Sequence, residues 1–151
     1  MLAHPVSERP RQDVTHDDGG WLAAARDLAT QWVAAFNAGD VATLAALYDK
    51  DAVMFPTGRA EPLVGADAVR QFFAGMDWSG TASAQVELAG AAFTRLLSYR
   101  AAMTAGSYTF SRLENGSRAY LPARYSLVLT RDGDAWRIAH HHSSAAPQPR
   151  P

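Results

Sequence analysis

The chain has 151 residues and a formal net charge of −1, and 48% of its residues are hydrophobic. This composition is typical of one globular domain, and the near-zero charge argues against a protein that holds nucleic acid or an anionic membrane surface. The sequence contains no cysteine, which excludes disulfides, thiolate catalysis and cysteine-ligated metal centres.

The two ends of the sequence differ in composition from its centre. Residues 1–18 are polar and carry two prolines, and residues 146–151 read APQPRP. Both are predicted to be disordered tails, which leaves residues 19–145 as a single domain. The first twenty residues lack the apolar core of a signal peptide, and no run approaches the roughly 20 apolar residues of a membrane span. A cytoplasmic location is therefore expected.

The first half of the domain has the pattern of helices. Apolar residues recur at three- and four-residue spacing through WLAAARDLATQWVAAFNA, which predicts one amphipathic helix that ends at Gly39. Asp40 has the side chain of an N-cap for a second helix, VATLAALYD. Two short strands are predicted in DAVMFPTG and EPLVG. A third helix, ADAVRQFFAGMDW, is predicted to bury its large apolar residues, which are Val69, Phe72, Phe73 and Met76.

The second half of the domain is predicted to form a long antiparallel meander. Its four segments are QVELAGAAFTRL, AMTAGSYTFSRL, RAYLPARYSLVLTR and AWRIAHHHSS, and turn signals such as Asn115-Gly116 separate them. Helices segregated from an antiparallel sheet indicate an α+β fold. Apolar residues lie on both faces of the sheet near its centre, so we expect a homodimer in which a second subunit covers the face that the helices leave open.

A resemblance to a known superfamily is carried by QWVAAFNAGDVATLAALYDKDAVMFPTG and, after it, EPLVGADAVRQFF. These stretches resemble the opening of the NTF2-like superfamily, which includes ketosteroid isomerases and SnoaL-like polyketide cyclases. The ending RYSLVLTRDGDAWRIAHHHSSAAP is similar to the association domain of calcium/calmodulin-dependent kinase II and to SgcJ/EcaC-type bacterial proteins. The resemblance implies an NTF2-like cone, in which three helices pack on a strongly curved, mostly antiparallel sheet. Through the SgcJ/EcaC-type proteins it also implies enediyne or other polyketide antibiotic biosynthesis.

The catalytic residues of the ketosteroid isomerases do not carry over to this sequence. Trp32 stands where the isomerases have a tyrosine that donates to the developing oxyanion, and Phe55 stands where they have an aspartate base. An indole is a poor acid and a phenyl ring accepts no proton, so classical isomerase activity is not expected. Ser126 and Ser143 align with two pocket arginines of the kinase association domain. Arg124, which shares a strand face with Ser126, remains as a candidate cavity arginine.

Three consecutive histidines occupy the last predicted strand. Alternate side chains of a strand share a face, so His140 and His142 point one way and His141 the other, and the three cannot ligate one ion. We interpret them as strand histidines that hydrogen-bond across the sheet or at a subunit contact, not as a purification tag. A sharper hypothesis makes His141, beside Arg124, the acid–base group of the cavity at neutral pH. A two-residue Asp132-Gly133 turn before this strand would place Arg124 opposite His141, which we expect, and a three-residue turn would place it opposite His142.

Most aromatic residues are predicted to be core, but a cone of this fold does not close completely and leaves a cavity for some of them to line. Aromatic walls with a few polar groups suit a flat, conjugated or polyketide-like molecule. The predicted ligand-contacting residues are Trp32, Phe36, Tyr48, Phe55, Phe72, Met76, Tyr108, Tyr120 and His142, and the catalytic candidates are His141 and Arg124. The sequence has no glycine-rich phosphate loop, so no nucleotide or other cofactor is expected, and no metal.

These observations predict a small-molecule-pocket protein of bacterial secondary metabolism. It would bind or convert an apolar, polyketide-like intermediate without a cofactor. If it is a catalyst, the expected reaction is a cyclisation, isomerisation or dehydration by acid–base chemistry. The alternative is a non-catalytic, dimeric accessory protein that contacts a polyketide synthase. Neither nucleic acid nor a membrane is an expected partner.

Overall fold

The computed structural model describes residues 20–79 and 83–151. The helices and strands of these residues are α1 (Trp21–Ala38), α2 (Val41–Ala46), β1 (Tyr48–Phe55), β2 (Leu63–Val64), α3 (Ala66–Ala74), β3 (Gln85–Ser98), β4 (Ala101–Glu114), β5 (Ser117–Asp132) and β6 (Ala135–Ala145). The N-terminal tail predicted at residues 1–18 lies outside the described residues. Residues 146–151 contain no regular secondary structure.

A glycine and a capping side chain separate the first two helices. Gly39 ends α1 with φ 63°, in the left-handed region that favours glycine. Asp40 then caps α2, because its carboxylate accepts a hydrogen bond from the Thr43 N–H at 3.0 Å. The bonds from the Thr43 hydroxyl and N–H also lower the pKa of Asp40. Both predicted boundaries are confirmed.

The six strands form one sheet in the order β2-β1-β6-β5-β4-β3. Strands β3 to β6 are the predicted meander, in which each neighbour runs antiparallel. Strands β1 and β6 run parallel, so the first long strand of the chain lies beside the last. The three helices pack on this curved, unclosed sheet, which confirms the predicted α+β cone.

The core lies between the helices and the inner face of the sheet. Alternate side chains of β5 and β6 point into it, and Leu129 and Ile138 are fully buried. From the helices, the ring of Trp32 stacks on Phe36 with centroids 5.1 Å apart, and Phe73 meets both rings edge-on. Large apolar side chains from helix and sheet thus share one continuous core.

The pairing of β5 with β6 differs from both alternatives that the sequence left open. The turn consists of Gly133 and Asp134, one residue later than we expected, and the register shifts by a further residue at Ala139. Arg124 therefore lies opposite Ser144, and not opposite His141 or His142. The prediction that placed Arg124 beside His141 is wrong. The two side chains belong to opposite faces, with Arg124 exposed and His141 buried.

The outer face of the sheet, away from the helices, exposes several hydrophobic side chains. Phe93 is 76% exposed, and Phe55 and Val128 are each 37% exposed. The cross-strand partners of Phe93 continue through β4 and β5 to His142 on β6 and end at Phe55 on β1. These residues form one row across this face. The second subunit expected to cover this face stays a prediction.

The first testable prediction concerns Gly106 in β4. A Cβ atom added there would come within 2.7 Å of the Tyr125 hydroxyl oxygen on the opposite strand. We expect Gly106→Ala to displace the Tyr125 ring from its contact with Tyr108, and to lower the free energy of unfolding by about 1–3 kcal/mol. Urea unfolding followed by circular dichroism measures this. The matched control is Ala105→Ser, whose side chain points to the outer face and should change stability by less than about 0.5 kcal/mol. Equal midpoints for the two variants would contradict the prediction.

Candidate functional site

An open cavity lies between the helices and the inner face of the sheet. Its volume is about 510 Å³, within the range of roughly 300–1,000 Å³ that is usual for small-molecule sites. Its wall is mostly apolar and aromatic. The large apolar side chains in that wall include Trp32, Phe36, Met54, Phe72, Phe73, Met76 and Phe110. The cavity is thus built from α1, α3, β1 and β4 together.

A run of hydrogen bonds starts in the core and reaches a buried histidine. The indole N–H of Trp32, on α1, donates to the hydroxyl oxygen of Tyr48, the first residue of β1, at 2.9 Å. That oxygen lies 2.8 Å from Nδ1 of His141 on β6. All three side chains are at least 96% buried, with exposed fractions of 4%, 3% and 1%. A helix and two parallel strands are therefore joined by polar contacts inside an aromatic core.

The same run continues from His141 to the cavity wall. Nε2 of His141 lies 3.2 Å from the hydroxyl oxygen of Tyr108 on β4, and the Tyr108 hydroxyl donates to Oγ of Ser143. Ser143 Oγ is 2.6 Å from Oγ1 of Thr57, which follows β1. His141 and Ser143 share one face of β6 because they are two residues apart. The four side chains all line the cavity.

Burial makes this run of side chains electrically neutral. It lowers the pKa of His141 to about 3, with smaller contributions from the charges of His140 and His142. Burial also raises the pKa of the Tyr48 and Tyr108 hydroxyls well above their ordinary value. The hypothesis that His141 titrates near neutral pH is wrong, because burial places the pKa of its imidazole far below that range. Its two ring nitrogens are instead bonded to tyrosines.

Seven residues singled out from the sequence do line the cavity, namely Trp32, Phe36, Phe72, Met76, Tyr108, Tyr120 and His141. Phe72 and Met76 are only partly buried, because they face the cavity and not the closed core. Tyr48 lies outside the cavity wall and contacts His141.

Three predicted site residues lie on the outer face instead. The rings of Phe55 and His142 stack on each other there with centroids 5.7 Å apart, and both residues are exposed. Arg124 is exposed on the same face, two residues along β5 from the partner of His142. Successive side chains of a strand point to opposite faces. The inward positions are taken by Met54 on β1, Leu127 on β5 and His141 on β6, so the three predicted site residues point outward. The prediction that they contact a ligand in the cavity is wrong.

Two polar groups of the cavity, Ser143 and Thr57, were not predicted from the sequence. Ser143 was not among the predicted site residues, although its spacing from His141 places both on one strand face. Thr57 follows the Phe55-Pro56 end of β1, and its approach to Ser143 depends on the pairing of β1 with β6. No local pattern around Thr57 indicated that contact.

The described residues also limit the kinds of site present. Within residues 20–79 and 83–151, no three histidine or acidic side chains converge as metal ligands would. The helices of the same residues are too short or too polar to cross a membrane. At the exposed rim of the cavity, Arg112 donates to Glu114 at 2.6 Å, so these two charges pair with each other.

The second testable prediction is a loss of stability as the pH falls. The pKa of His141 is about 3 in the folded chain, against an ordinary 6.5, so between these values the unfolded chain binds a proton here that the folded chain does not. The contribution of His141 to the free energy of unfolding is fully present above pH 6.5. Below that pH it decreases by up to about 1.4 kcal/mol per pH unit. Urea unfolding from pH 6.5 to about 5 measures the slope.

Two variants test whether His141 causes that slope. His141→Gln removes the titrating group and should flatten the dependence, even if it is less stable throughout. His142→Gln, at an exposed position of the same strand, is the matched control and should retain most of the slope. A wild-type stability that is constant over this pH range would contradict the prediction.

Comparison with known proteins assigns the chain to a family. The profile of the SnoaL-like domain matches residues 25–148. No curated protein sequence matches the chain significantly. A solved structure from Xanthomonas campestris, named as a calcium/calmodulin-dependent protein kinase II association domain, is 30% identical, with a TM-score of 0.69. The match covers 82% of this chain and 86% of that one.

Two more distant structures share the fold. The association domain of the Caenorhabditis elegans kinase is 19% identical, with a TM-score of 0.65, over 78% of this chain and 89% of its own. A ketosteroid isomerase-like protein from Erwinia carotovora atroseptica is 18% identical, with a TM-score of 0.67, over 87% of this chain and 100% of its own. The match of the profile to most of the domain is decisive: the chain belongs to the SnoaL-like domain family and has the NTF2-like fold.

Proposed function

We propose that this SnoaL-like protein binds a small, largely apolar molecule in its cavity. The observation that carries the proposal is the cavity of about 510 Å³ with an apolar, aromatic wall and a few hydroxyl groups at its inner end. Apolar wall left in contact with water is a source of binding energy, at roughly 25 cal/mol per Å² that a ligand covers. The small-molecule and isomerase-like character of the fold supports the same conclusion.

The arrangement of the rings favours a flat ligand. Trp32, Phe36 and Phe110 present ring faces and edges close to one another, with centroid separations of 5.1 to 6.5 Å. Aromatic side chains at such spacings bind conjugated rings by offset stacking and edge contacts. An aromatic polyketide, including an intermediate of enediyne or other antibiotic biosynthesis, has this flat character and is the ligand class that we propose.

Any chemistry on that ligand would use the hydroxyl groups of the cavity. Tyr108, Ser143 and Thr57 are uncharged hydroxyl groups at its inner end, whereas His141 is bonded on both ring nitrogens. A cofactor-independent isomerisation, cyclisation or dehydration would therefore act through Tyr108 and its neighbours. Because His141 contacts the ligand only through Tyr108 in this scheme, it is a positioning residue.

The third testable prediction is that a bulky side chain in the cavity wall abolishes ligand binding. Ala119 lines the cavity and is partly exposed, so Ala119→Trp places an indole in the space of the ligand. Titration with the uncharged dye 6-propionyl-2-(dimethylamino)naphthalene, followed by its fluorescence, should give an affinity at least tenfold weaker than wild type. Ala60→Trp, at an exposed loop position, is the matched control and should bind like wild type.

Competition connects this assay to the proposed ligand class. The aromatic polyketide emodin should displace the dye from wild-type protein. If emodin displaces the dye but Ala119→Trp binds the dye as tightly as wild type does, the binding site lies outside this cavity. If neither the dye nor emodin binds, the accessory role, with contact to a polyketide synthase, replaces the binding proposal.

We also propose that a second copy of the chain covers the outer face of the sheet, to form a homodimer. The exposed hydrophobic side chains there support it, including Val128 near the centre and Phe93 on the edge strand β3. The relative that is 30% identical is named as an association domain, which supports oligomerisation in general. Single exposed apolar residues need no partner, but several aligned across one sheet face favour an interface.

The fourth testable prediction concerns this interface. Val128→Arg places a cation at the centre of the outer face, where a second copy would have to bury it without a counter-charge. Sedimentation equilibrium should then give the mass of one chain, and wild type the mass of two. Tyr99→Arg, in the exposed turn between β3 and β4, is the control and should remain a dimer. A monomeric wild-type protein would contradict the proposal.

A further inference from the structure

We propose that the buried hydrogen-bond chain, Trp32–Tyr48–His141–Tyr108–Ser143–Thr57, runs in one direction from Trp32 to Ser143 and leaves one of its own hydroxyl protons, on Ser143 or Thr57, free at the cavity wall. The ligand would accordingly be an uncharged molecule with a hydrogen-bond-accepting oxygen at its buried end. This inference rests on the proposed function, because it names the ligand chemistry of the same cavity. It follows from the donor and acceptor capacity of each side chain.

The direction of the chain is set at its core end. An indole N–H only donates, so the Tyr48 oxygen accepts from Trp32. The single hydroxyl proton of Tyr48 then has two acceptors within reach, Nδ1 of His141 at 2.8 Å and the sulfur of Met54 at 3.7 Å. An imidazole nitrogen at the shorter distance is much the better acceptor than a thioether sulfur. Tyr48 therefore donates to Nδ1.

The acceptor role of Nδ1 fixes the tautomer of His141. A neutral imidazole has one N–H, which must then be on Nε2. Nε2–H donates to the Tyr108 oxygen at 3.2 Å, and the Tyr108 proton continues to Ser143. The ring is 1% exposed and its ring nitrogens contact only neutral phenols, so nothing beside it stabilises a positive charge.

A count of protons then gives the free donor. The chain contains six groups, each with one proton to donate, joined by five hydrogen bonds. Five protons are used and one remains. Because Tyr108 donates to Ser143, the remaining proton belongs to Ser143 or to Thr57, whichever of these two accepts from the other. The hydrogen bonds of the described residues include no other acceptor for either hydroxyl, so this proton is available to a ligand.

The inner end of the cavity carries no charge. The charged side chains among its described lining, Arg112 and Glu114, pair with each other and are 69% and 47% exposed. A carboxylate or ammonium group of a ligand would lose its water beside Ser143 without meeting an opposite charge, which is costly. A carbonyl or ether oxygen accepts the free proton and requires no counter-charge. A pure hydrocarbon would leave that hydroxyl without a partner.

The test uses three naphthalene probes of similar size: 2-acetylnaphthalene with a carbonyl oxygen, 2-isopropylnaphthalene without oxygen, and 2-naphthoate with a carboxylate. Titration calorimetry should show that wild type binds the ketone about tenfold more tightly than the hydrocarbon, which corresponds to one net hydrogen bond. Binding of the ketone should exceed that of the carboxylate by at least the same factor. The infrared carbonyl band of the bound ketone should shift to lower frequency than in an apolar solvent.

A double variant removes the terminal hydroxyls. Thr57→Val combined with Ser143→Ala passes the free proton back to Tyr108, whose side chain is 2% exposed and offers it less readily to a ligand. The preference for the ketone over the hydrocarbon should fall below about threefold, and the carbonyl shift should decrease. Thr57→Ser keeps both hydroxyls and is the matched control, so it should retain the preference and the shift. Circular dichroism and unfolding midpoints establish that each variant is folded.

The tautomer gives a readout that does not depend on any ligand. In wild-type protein labelled with ¹⁵N-histidine, the ring nitrogens of His141 should report Nε2–H and an unprotonated Nδ1 at pH 7. A proton on Nδ1, or on both nitrogens, would overturn the inference.

Equal affinity for the ketone and the hydrocarbon, or tight binding of the naphthoate, would overturn it while leaving the proposed function intact. Failure of all three probes to bind would count against both.

Discussion

The buried imidazole of His141 is the constraint on which the interior of this protein depends. A buried polar ring is costly unless both of its nitrogens have partners. Tyr48 and Tyr108 supply them from β1 and β4, on either side of β6. The described residues contain no buried side-chain nitrogen or oxygen without a partner, so the requirement is met completely. Because these partners come from β1 and β4, the buried imidazole connects the first long strand, the last strand and the rest of the meander within the core.

The same constraint organises the cavity. One row of polar groups runs from the core to Ser143 and Thr57, and the remaining wall is mostly aromatic and aliphatic. Trp32 closes the row at its core end, since an indole donates and accepts nothing. Where the ketosteroid isomerases are expected to use a tyrosine and an aspartate, this chain has Trp32 and an outward-facing Phe55. The inner end of its cavity therefore presents uncharged hydroxyl groups, and neither of those two catalytic side chains.

Strand geometry lets three identical residues occupy different environments. His141 points inward and is neutral, whereas His140 and His142 point to the outer face, where His142 stacks on Phe55. Part of the fall in the pKa of His141 comes from these two neighbours. A run of three histidines that looks uniform in the sequence is thus one core residue flanked by two surface residues. The outer pair belongs to the face for which a second subunit is proposed.

Local patterns in the sequence were enough to establish the three helices, the caps at Gly39 and Asp40, the meander and the α+β class, because propensity, capping and hydrophobic periodicity act over a few residues. The predicted end of the second helix is wrong, since Tyr48 and Asp49 belong to β1. The cavity aromatics on α1 and α3 followed from the same periodicity and the resemblance. Which residues face each other across the sheet could not be obtained in this way. A turn displaced by one residue and a bulge at Ala139 together moved β6 along β5 and placed Arg124 on the face opposite to His141.

The neutrality of His141 and the position of Thr57 are also consequences of tertiary structure. A pKa depends on the surroundings of the ring, and these come from strands that are far apart in the sequence. The contact of Thr57 with Ser143 joins residues 86 positions apart, through the parallel pairing of β1 with β6. Sequence alone determined which elements form and that alternate side chains of a strand take opposite faces. Only the assembled sheet decided which polar groups meet, because one residue of register exchanges its two faces.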